Sequence, residues 1–544
     1  MFFQMTDAIL SAKDINVHFK SKNGLFHAVR GVDLEIFPGE TVAIVGESGA
    51  GKSAFARAIV HLNQPPFTPK YSYVTGKLTL NSPFQTDLIN ASPNILRKVR
   101  AEAIGMIFQD GLSALNPVLS IGVQLLEALH KSNRSVNDNP KDEIIEIINT
   151  MGFPEPNRII NAFPHQLSGG QCQRISIAIA TLRFPVAIIA DEPTTALDVT
   201  IQAQILKLLR DLCKKRSMSM IFISHDIGVV AEIADRIAVM KDGKVVEVSS
   251  KKKLFTSPSH QFTKKLLNSR PKPNFTLNDK ARMNVGGSVA VSLEKVSYNY
   301  HGGVFTNRVG NIAVKNVDLT VFSGETMGIV GESGSGKSTL AKLLLGFLKP
   351  SNGKIEILGY NPTNIQAPDL LNFRKKVQVV YQDSISALNP RKTLGNSAAE
   401  GLEIHGMKRD LARIKVREIF ENVGLPETIA ERFPHQVSGG QRQRVCIARA
   451  LALNPSILVA DEPVTALDVT IQAQILELFR KLQRNFNLTI IFISHDLEAV
   501  ANLCSRVAVM HEGAIIECNT TRKIFKNPDK NFTKRLVDSI PGKI

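Results

Sequence analysis

One phosphate-binding pattern, G-x-x-x-x-G-K-[ST], occurs twice in this chain and limits its possible folds more than any other feature. Each copy follows a short apolar run and precedes a stretch rich in Ala or Leu, which is the strand, loop and helix order that the pattern requires. The glycines let backbone N–H groups surround phosphates, the lysine adds a positive charge, and the serine hydroxyl can ligate Mg²⁺. The sequence therefore predicts two sites for a nucleoside triphosphate. The two copies are Gly46-Glu47-Ser48-Gly49-Ala50-Gly51-Lys52-Ser53 and Gly331-Glu332-Ser333-Gly334-Ser335-Gly336-Lys337-Ser338.

Later motifs are duplicated as well, so the chain is an internal repeat. The spacing from Lys52 to Gln109 exceeds that from Lys337 to Gln382, which indicates extra residues in the first copy near Pro65 to Asn90. Three further motifs recur at one constant offset: Ser168-Gly169-Gly170-Gln171 with Ser438-Gly439-Gly440-Gln441, Asp191-Glu192-Pro193 with Asp461-Glu462-Pro463, and Ser224-His225-Asp226 with Ser494-His495-Asp496.

The length and the repeat together predict two domains. With 544 residues, the chain is longer than one hydrophobic core usually serves. The segment between the repeats, residues 271–287, is polar and interrupted by Pro and Gly, which indicates a short linker. We therefore predict a first domain over residues 8–270 and a second over residues 288–544.

Short apolar runs stand directly before the polar motifs, and such runs predict buried strands of a parallel sheet. Catalytic groups would then emerge at strand ends, where α/β sheets bind their ligands. Between Asp110 and His165 the periodicity becomes helical, over residues 121–129 and 141–151, and this predicts a helical insert. The apolar runs cover residues 186–190, 220–223, 457–460 and 490–493.

Composition narrows the class of protein. The net charge of +17 would suit an anionic membrane surface or nucleic acid, but the basic residues are dispersed. A solvated lysine-rich surface is the simpler interpretation, and no nucleic-acid partner is predicted. The five scattered cysteines suit a reducing cytoplasm. No signal peptide and no run of 18 apolar residues is found, so any membrane function would require other chains.

The order of P-loop, glutamine, Ser-Gly-Gly-Gln, Asp-Glu-Pro, Ala-Leu-Asp and a lone histidine resembles ATP-binding-cassette (ABC) ATPases over nearly the whole chain, twice. The segments from Gln109 to Pro117 and from Gln382 to Arg391, and the Phe262-Thr263 and Phe532-Thr533 tails, resemble the branch that imports dipeptides, oligopeptides and microcin C. The resemblance implies an α/β fold of two P-loop ABC-type ATPase domains. Each would have a RecA-like parallel-sheet core, an antiparallel β subdomain and a helical subdomain.

The resemblance also implies an activity and partners. The chain would hydrolyse ATP on the cytoplasmic face of the bacterial inner membrane, as a peripheral protein. It would energise two separate permease subunits. A secreted or periplasmic substrate-binding protein would deliver the substrate to them. Its two cassettes would pair head to tail within one chain.

Site roles follow from the same resemblance. Lys52 and Lys337 would contact the β/γ-phosphates, and each Ser-Gly-Gly-Gln signature would contact the nucleotide held by the other copy. The remaining implied residues are the Mg²⁺ ligands Ser53, Gln109, Ser338 and Gln382, with Asp191 and Asp461 holding the ion through water; the bases Glu192 and Glu462; the γ-phosphate contacts His225 and His495; and the adenine-stacking Phe19 and Tyr300, of which Phe19 could equally belong to the core.

Two other classes share parts of the pattern. Tandem cassettes that act on ribosomes are similar in their duplication and remain the alternative, but they carry a long charged helical linker, whereas residues 270–287 are short and broken by Pro and Gly. DNA-repair ATPases of related fold would show zinc-binding cysteine pairs, and the five cysteines here have no such spacing.

The two signatures differ at one position, where Cys172 in the first copy stands against Arg442 in the second. Cysteine removes a permanent positive charge close to a helix start. In the head-to-tail arrangement this signature would serve the site of Lys337 and Glu462, and we expect that site to be the weaker one. The alternative is that residue 172 points to solvent and matters little.

Overall fold

The computed structural model describes residues 7–21, 24–63, 72–130, 140–195, 197–268, 287–300, 311–465 and 467–540. The chain divides into two compact units, formed mainly by residues 1–270 and by residues 271–540. Apart from Gly287, the predicted linker lies outside the described residues. Within the described ranges, no helix combines the length and the apolar character needed to cross a membrane.

The N-terminal unit alternates strands and helices. Its strands are β1 Leu10–Ser21, β2 Gly24–Ile36, β3 Thr41–Val45, β4 Ser72–Leu80, β5 Thr86–Asp87, β6 Ile104–Ile107, β7 Ala187–Asp191, β8 Ser219–Ser224, β9 Arg236–Lys241 and β10 Lys244–Ser250. Its α-helices are α1 Lys52–Ile59, α2 Pro93–Lys98, α3 Ile121–His130, α4 Pro140–Thr150, α5 Pro156–Asn161, α6 Gly169–Thr181, α7 Val199–Arg216, α8 Ile227–Ile233, α9 Lys251–Thr256 and α10 Gln261–Asn268.

The C-terminal unit repeats this order. Its strands are β11 Val289–Tyr300, β12 Asn311–Phe322, β13 Thr326–Val330, β14 Asn352–Ile357, β15 Val377–Val380, β16 Ile457–Asp461, β17 Thr489–Ile493, β18 Arg506–His511 and β19 Ala514–Thr520. Its α-helices are α11 Lys337–Leu344, α12 Ala367–Lys376, α13 Leu394–Ile404, α14 Arg409–Asn422, α15 Gly439–Leu451, α16 Val469–Phe486, α17 Leu497–Leu503, α18 Thr521–Lys526 and α19 Asn531–Asp538.

A six-stranded sheet forms the centre of each unit, in the order β10-β9-β3-β8-β7-β6 and β19-β18-β13-β17-β16-β15. Every pairing between neighbours is parallel except the hairpin at one edge, β9 with β10 and β18 with β19. The predicted parallel sheet is therefore confirmed. Its strands are short and almost wholly buried because both faces of the sheet are covered.

Alternate residues of β3 show what covers the two faces. Ala43 and Val45 belong to a buried cluster that includes the helical insert, whereas Val42 and Ile44 belong to a cluster shared with the antiparallel strands. Those strands form a second sheet, β2-β1-β4-β5, and β12-β11-β14 is its counterpart in the other unit. Each unit is thus layered as an antiparallel sheet, a parallel sheet and a helical layer, which confirms the fold class.

The helical insert also lies where the sequence predicts it, as α3 and α4 in the first unit. In the second unit α14 shows why such a segment is helical: Ala412, Val416, Ile419 and Phe420 are its buried residues, spaced so that they share one face. Helix α13 begins after Thr393, whose side chain accepts a hydrogen bond from the backbone N–H of Asn396. The insert follows directly on the Gln109 and Gln382 segments.

Candidate functional site

The two P-loops have the backbone geometry of a phosphate cradle. Gly51 and Gly336 have φ values of 97° and 101°, in the left-handed region that only glycine adopts freely. A Cβ atom at either position would also collide with a backbone carbonyl oxygen, that of Ala28 or Ala313. Helices α1 and α11 begin at the next residue, so the N–H groups of their first turns and their positive dipole ends face the loop.

Each P-loop lysine is buried inside its own loop. The Nζ of Lys52 donates hydrogen bonds to the carbonyl oxygens of Gly46 and Glu47, at 2.9 and 3.0 Å. Lys337 does the same with Gly331 and Glu332, at 2.8 and 2.7 Å. Both side chains are only 5% exposed, and burial lowers the pKa of Lys337. Each ammonium group is thus fixed inside its P-loop, where it can contact the anionic oxygens of a bound phosphate.

Ser53 and Asp191 form the first half of a candidate metal site. The Oγ of Ser53 donates a hydrogen bond of 2.7 Å to Oδ1 of Asp191, and burial raises the pKa of that carboxyl. In the second unit, Oδ1 of Asp461 is buried without a hydrogen-bond partner in the part of the chain that the structure describes. Burial raises the pKa of Asp461 to about 6. Hydroxyl and carboxylate oxygens suit Mg²⁺, and a buried carboxylate oxygen without a hydrogen-bond partner fits a role near a cation.

Three donors converge on one carboxylate oxygen of Glu192. Its Oε2 accepts hydrogen bonds from Nε2 of Gln109 at 3.1 Å and from Oγ1 of Thr195 at 3.1 Å, and it lies 3.2 Å from Nδ1 of His225. Glu192 itself has a φ of 48°, which is unusual for a residue with a side chain. The backbone N–H of Glu192 is fixed by the carbonyl of Ile223, 3.0 Å away.

The second unit repeats this cluster almost atom for atom. Oε2 of Glu462 accepts from Gln382 at 2.9 Å and from Thr465 at 3.2 Å, and it lies 3.2 Å from Nδ1 of His495. Glu462 also has a φ of 48°. Thr195 and Thr465 were missed by the sequence analysis. Their recurrence three residues after each glutamate was the signal that could have found them.

Electrostatics keeps each glutamate ionised. Burial alone would raise the pKa of Glu192, but the hydrogen bond and the charge of His225 outweigh it, and the pKa is lowered. The same balance lowers the pKa of Glu462. Conversely, burial would lower the pKa of His225, but its contact with Glu192 raises it. In each pair the glutamate therefore favours its ionised form, and the histidine beside it readily holds a proton. An ionised carboxylate can accept a hydrogen bond from a water molecule and so orient it.

Each Ser-Gly-Gly-Gln signature begins a helix, α6 or α15. Ser168 caps α6 by accepting from the backbone N–H of Gln171, and Oε1 of Gln171 accepts in turn from the N–H of Ser168. Ser438 and Gln441 form the same reciprocal cap on α15. A Cβ at Gly169 would meet nothing within 4 Å, so this helix N-terminus stays open to a ligand.

Residue 172 does not point to solvent, so that alternative is wrong. The Cys172 side chain is fully buried and its thiol donates to the carbonyl oxygen of Pro164 at 3.5 Å. The guanidinium of Arg442 instead donates to two backbone carbonyls, Pro434 at 3.3 Å and Val437 at 3.0 Å. An arginine at position 172 would need room in a closed core. Cys172→Arg is therefore not expected to raise activity.

The aromatic residues Phe19 and Tyr300 differ in their surroundings. Tyr300 is 41% exposed, and its hydroxyl lies 3.3 Å from Oγ1 of Thr339, on the helix that carries Lys337. This contact keeps the Tyr300 ring beside the P-loop helix. Phe19 is partly buried and packs against the core cluster of the antiparallel sheet. Phe19 therefore has a core role, whatever further role it has with a ligand.

The site thus consists of local clusters, one per unit. In each unit the structure brings together the P-loop, the two acidic residues, the glutamine and the histidine. The signature serine makes its contacts within its own helix cap. Such a cluster can hold a triphosphate, a hydrated divalent cation and one oriented water.

Comparison with known proteins agrees with this geometry. The family model described as "ABC transporter" matches residues 29–195 and 314–465. A second model, "Oligopeptide/dipeptide transporter, C-terminal region", matches residues 246–308. Together these matches cover more than half of the chain. The protein belongs to the ABC transporter family, as a tandem ATP-binding protein, and the two repeats are its two cassettes.

Three named relatives match over nearly the whole of this chain. The chain is 40% identical over 535 residues to the peptidoglycan transport ATP-binding protein YejF of Agrobacterium fabrum, covering 98% of this chain and 96% of that protein. It is 39% identical over 560 residues to the glutathione import ATP-binding protein GsiA of Salmonella choleraesuis, covering 98% and 89%. It is 39% identical to the Escherichia coli ABC transporter ATP-binding protein YejF, covering 98% and 99%. These matches support an ATPase of a transporter and give no support to a ribosome factor.

Proposed function

We propose that this chain is the ATP-hydrolysing subunit of an importer of dipeptides, oligopeptides or microcin C-like peptides in the bacterial inner membrane. The observation that carries the proposal is the complete set of Lys, Asp, Glu, Gln and His side chains in both units, in a chain that also matches the oligopeptide/dipeptide transporter region. The relatives are named for importing glutathione and transporting peptidoglycan, which also contain peptide-like bonds.

The chemistry would need positioning rather than a covalent intermediate. Lys52 and the N–H groups at the start of α1 would bind the β- and γ-phosphates, while His225 would hold the γ-phosphate end. Glu192, ionised and fixed by Gln109 and Thr195, would orient the attacking water and accept its proton. Ser53 and Gln109 would ligate Mg²⁺ and Asp191 would hold it through water; the ion would neutralise charge on the phosphate oxygens. Lys337, Glu462 and His495 would act likewise in the second cassette.

We propose that the two cassettes, placed at residues 8–270 and 288–544, pair head to tail within one chain. The support is that the open helix N-terminus at Gly169 has donors for a phosphate, while the hydrogen bonds of Ser168 described above lie within its own helix cap. Cysteines at Gly49 and Gly439 should then crosslink within one monomer, and ATP should increase the yield. Cysteines at Gly49 and Gly169 are the matched control and should not respond. Crosslinks formed only between separate chains would contradict the internal pairing.

We further propose that the helical inserts after Gln109 and Gln382 dock on two permease subunits at the cytoplasmic face of the membrane. Each insert follows the glutamine that contacts the catalytic glutamate, so nucleotide and permease would influence the same segment. Co-expressed with its permeases, the protein should sediment with membranes, and a peptide-loaded binding protein should stimulate its ATPase activity. Expressed alone, it should stay in the supernatant. Recovery mainly with ribosomes, or no response to any peptide-loaded binding protein, would contradict this function.

A further inference from the structure

The two cassettes differ in how the signature helix is joined to the glutamine segment. In the first cassette, Gln173 lies on α6 and is only 2% exposed. Its Nε2 donates a hydrogen bond of 3.1 Å to the carbonyl oxygen of Phe108, the residue directly before Gln109. Since Gln109 itself donates to Glu192, an unbroken path of two hydrogen bonds and one peptide link runs from the glutamate to α6.

Close backbone packing reinforces this path. A Cβ atom at Gly111 would lie 2.5 Å from Oε1 and 2.7 Å from the backbone nitrogen of Gln173. Only glycine allows the glutamine segment to rest directly on the first turns of α6 in this way. The fully buried Cys172 sits beside this contact. Phe108 and Gly111 of the glutamine segment therefore both contact Gln173 of α6.

The second cassette lacks the equivalent bond. Gln443 is as deeply buried as Gln173, at 2% exposure, but its Nε2 has no hydrogen-bond partner among the residues that the structure describes. Ser384 stands where the first cassette has Gly111. The glutamate end of the path is nevertheless intact, since Gln382 donates to Glu462. Along this path, the cassettes thus differ at the contact between the glutamine segment and the signature helix.

We propose that Gln173 is a positioning residue that joins the glutamine segment to the signature helix in the first cassette, and that Gln443 does not do so in the second. Displacement of Gln109 at the nucleotide then displaces α6 directly. In the second cassette the two segments move separately. A change at the catalytic site of the first cassette therefore shifts the signature helix of that cassette. A change at the catalytic site of the second cassette does not shift its signature helix in this way.

The test replaces each glutamine by methionine, which keeps the length of the side chain but cannot donate a hydrogen bond. Gln173→Met should lower kcat for ATP about fivefold with KM unchanged within about twofold, the loss expected from one buried hydrogen bond. Gln443→Met should leave kcat within about twofold of the wild type. Both variants should unfold within a few degrees of the wild type, which checks that neither effect is a folding defect.

A double-mutant cycle separates positioning from a merely structural role. If Gln173 acts through Gln109, then Gln109→Ala with Gln173→Met should have the kcat of Gln109→Ala alone. Equal kcat losses for Gln173→Met and Gln443→Met would overturn the proposal, as would strictly multiplicative losses in the cycle. An effect of Gln173→Met on KM alone would overturn it too. Because the readout is basal ATPase activity of the whole chain, the proposal stands or falls separately from the identity of the transported molecule.

Discussion

Glu192→Gln is expected to lower ATP hydrolysis at its own site about 100-fold, because glutamine fills the same space but can neither accept the proton of water nor carry the negative charge. Three donors, from Gln109, Thr195 and His225, are arranged around that charge, and an amide leaves them poorly matched. ATP binding should change little, since the P-loop lysine is untouched. The measurements are phosphate release and nucleotide affinity on the purified chain.

Glu462→Gln is the matched variant, and we expect a smaller loss. In a head-to-tail pair, the Glu462 site would be completed by the signature that contains Cys172, and the Glu192 site by the signature that contains Arg442. The site lacking the arginine would contribute less of the total activity. Glu155→Gln, an exposed glutamate paired with Arg158 at 3.4 Å, controls for a general effect of the substitution. Equal losses for the two catalytic variants would show that the two sites are equivalent.

Lys52→Ala and Lys337→Ala should each weaken ATP binding about 100-fold at their own site, since each removes a charge-assisted contact with the phosphates. Wild-type protein should bind two nucleotides per chain, each single variant one, and the double variant none. Equilibrium dialysis with labelled ATP would count them. Both lysines also donate to two loop carbonyls, so a thermal melt must confirm that each variant remains folded.

Lys349→Ala is the control, because that lysine is exposed and follows the α11 helix of the second P-loop closely in sequence. It should leave both the stoichiometry and the affinity unchanged. If either P-loop variant still binds two nucleotides per chain with unchanged affinity, the corresponding loop is not a nucleotide site. The stoichiometry therefore tests each P-loop separately.

Features of the site that depend on residues close together along the chain could be predicted from the sequence. The P-loop pattern predicts the phosphate cradle because all of its parts, including the left-handed glycine and the start of the helix, lie within eight consecutive residues. The apolar runs before Asp191 and Asp461 predict strands for the same reason, and the strands β7 and β16 end at these aspartates. Register between strands then explains the cluster: Asp191 pairs with Ile223, so Glu192 emerges beside Ser224 and His225.

What the sequence by itself determined is the identity, order and duplication of the motifs, and hence the class of fold, since these depend on short-range spacing. The tertiary structure alone decided which side chains meet. The strand order β6-β7-β8 brings Gln109, Glu192 and His225 to one sheet edge, although they are far apart along the chain. Packing of α6 buried Cys172 and gave Nε2 of Gln173 a partner, while Nε2 of the corresponding Gln443 in α15 has none within the described ranges. Such long-range contacts depend on the fit between distant segments, which no local pattern encodes.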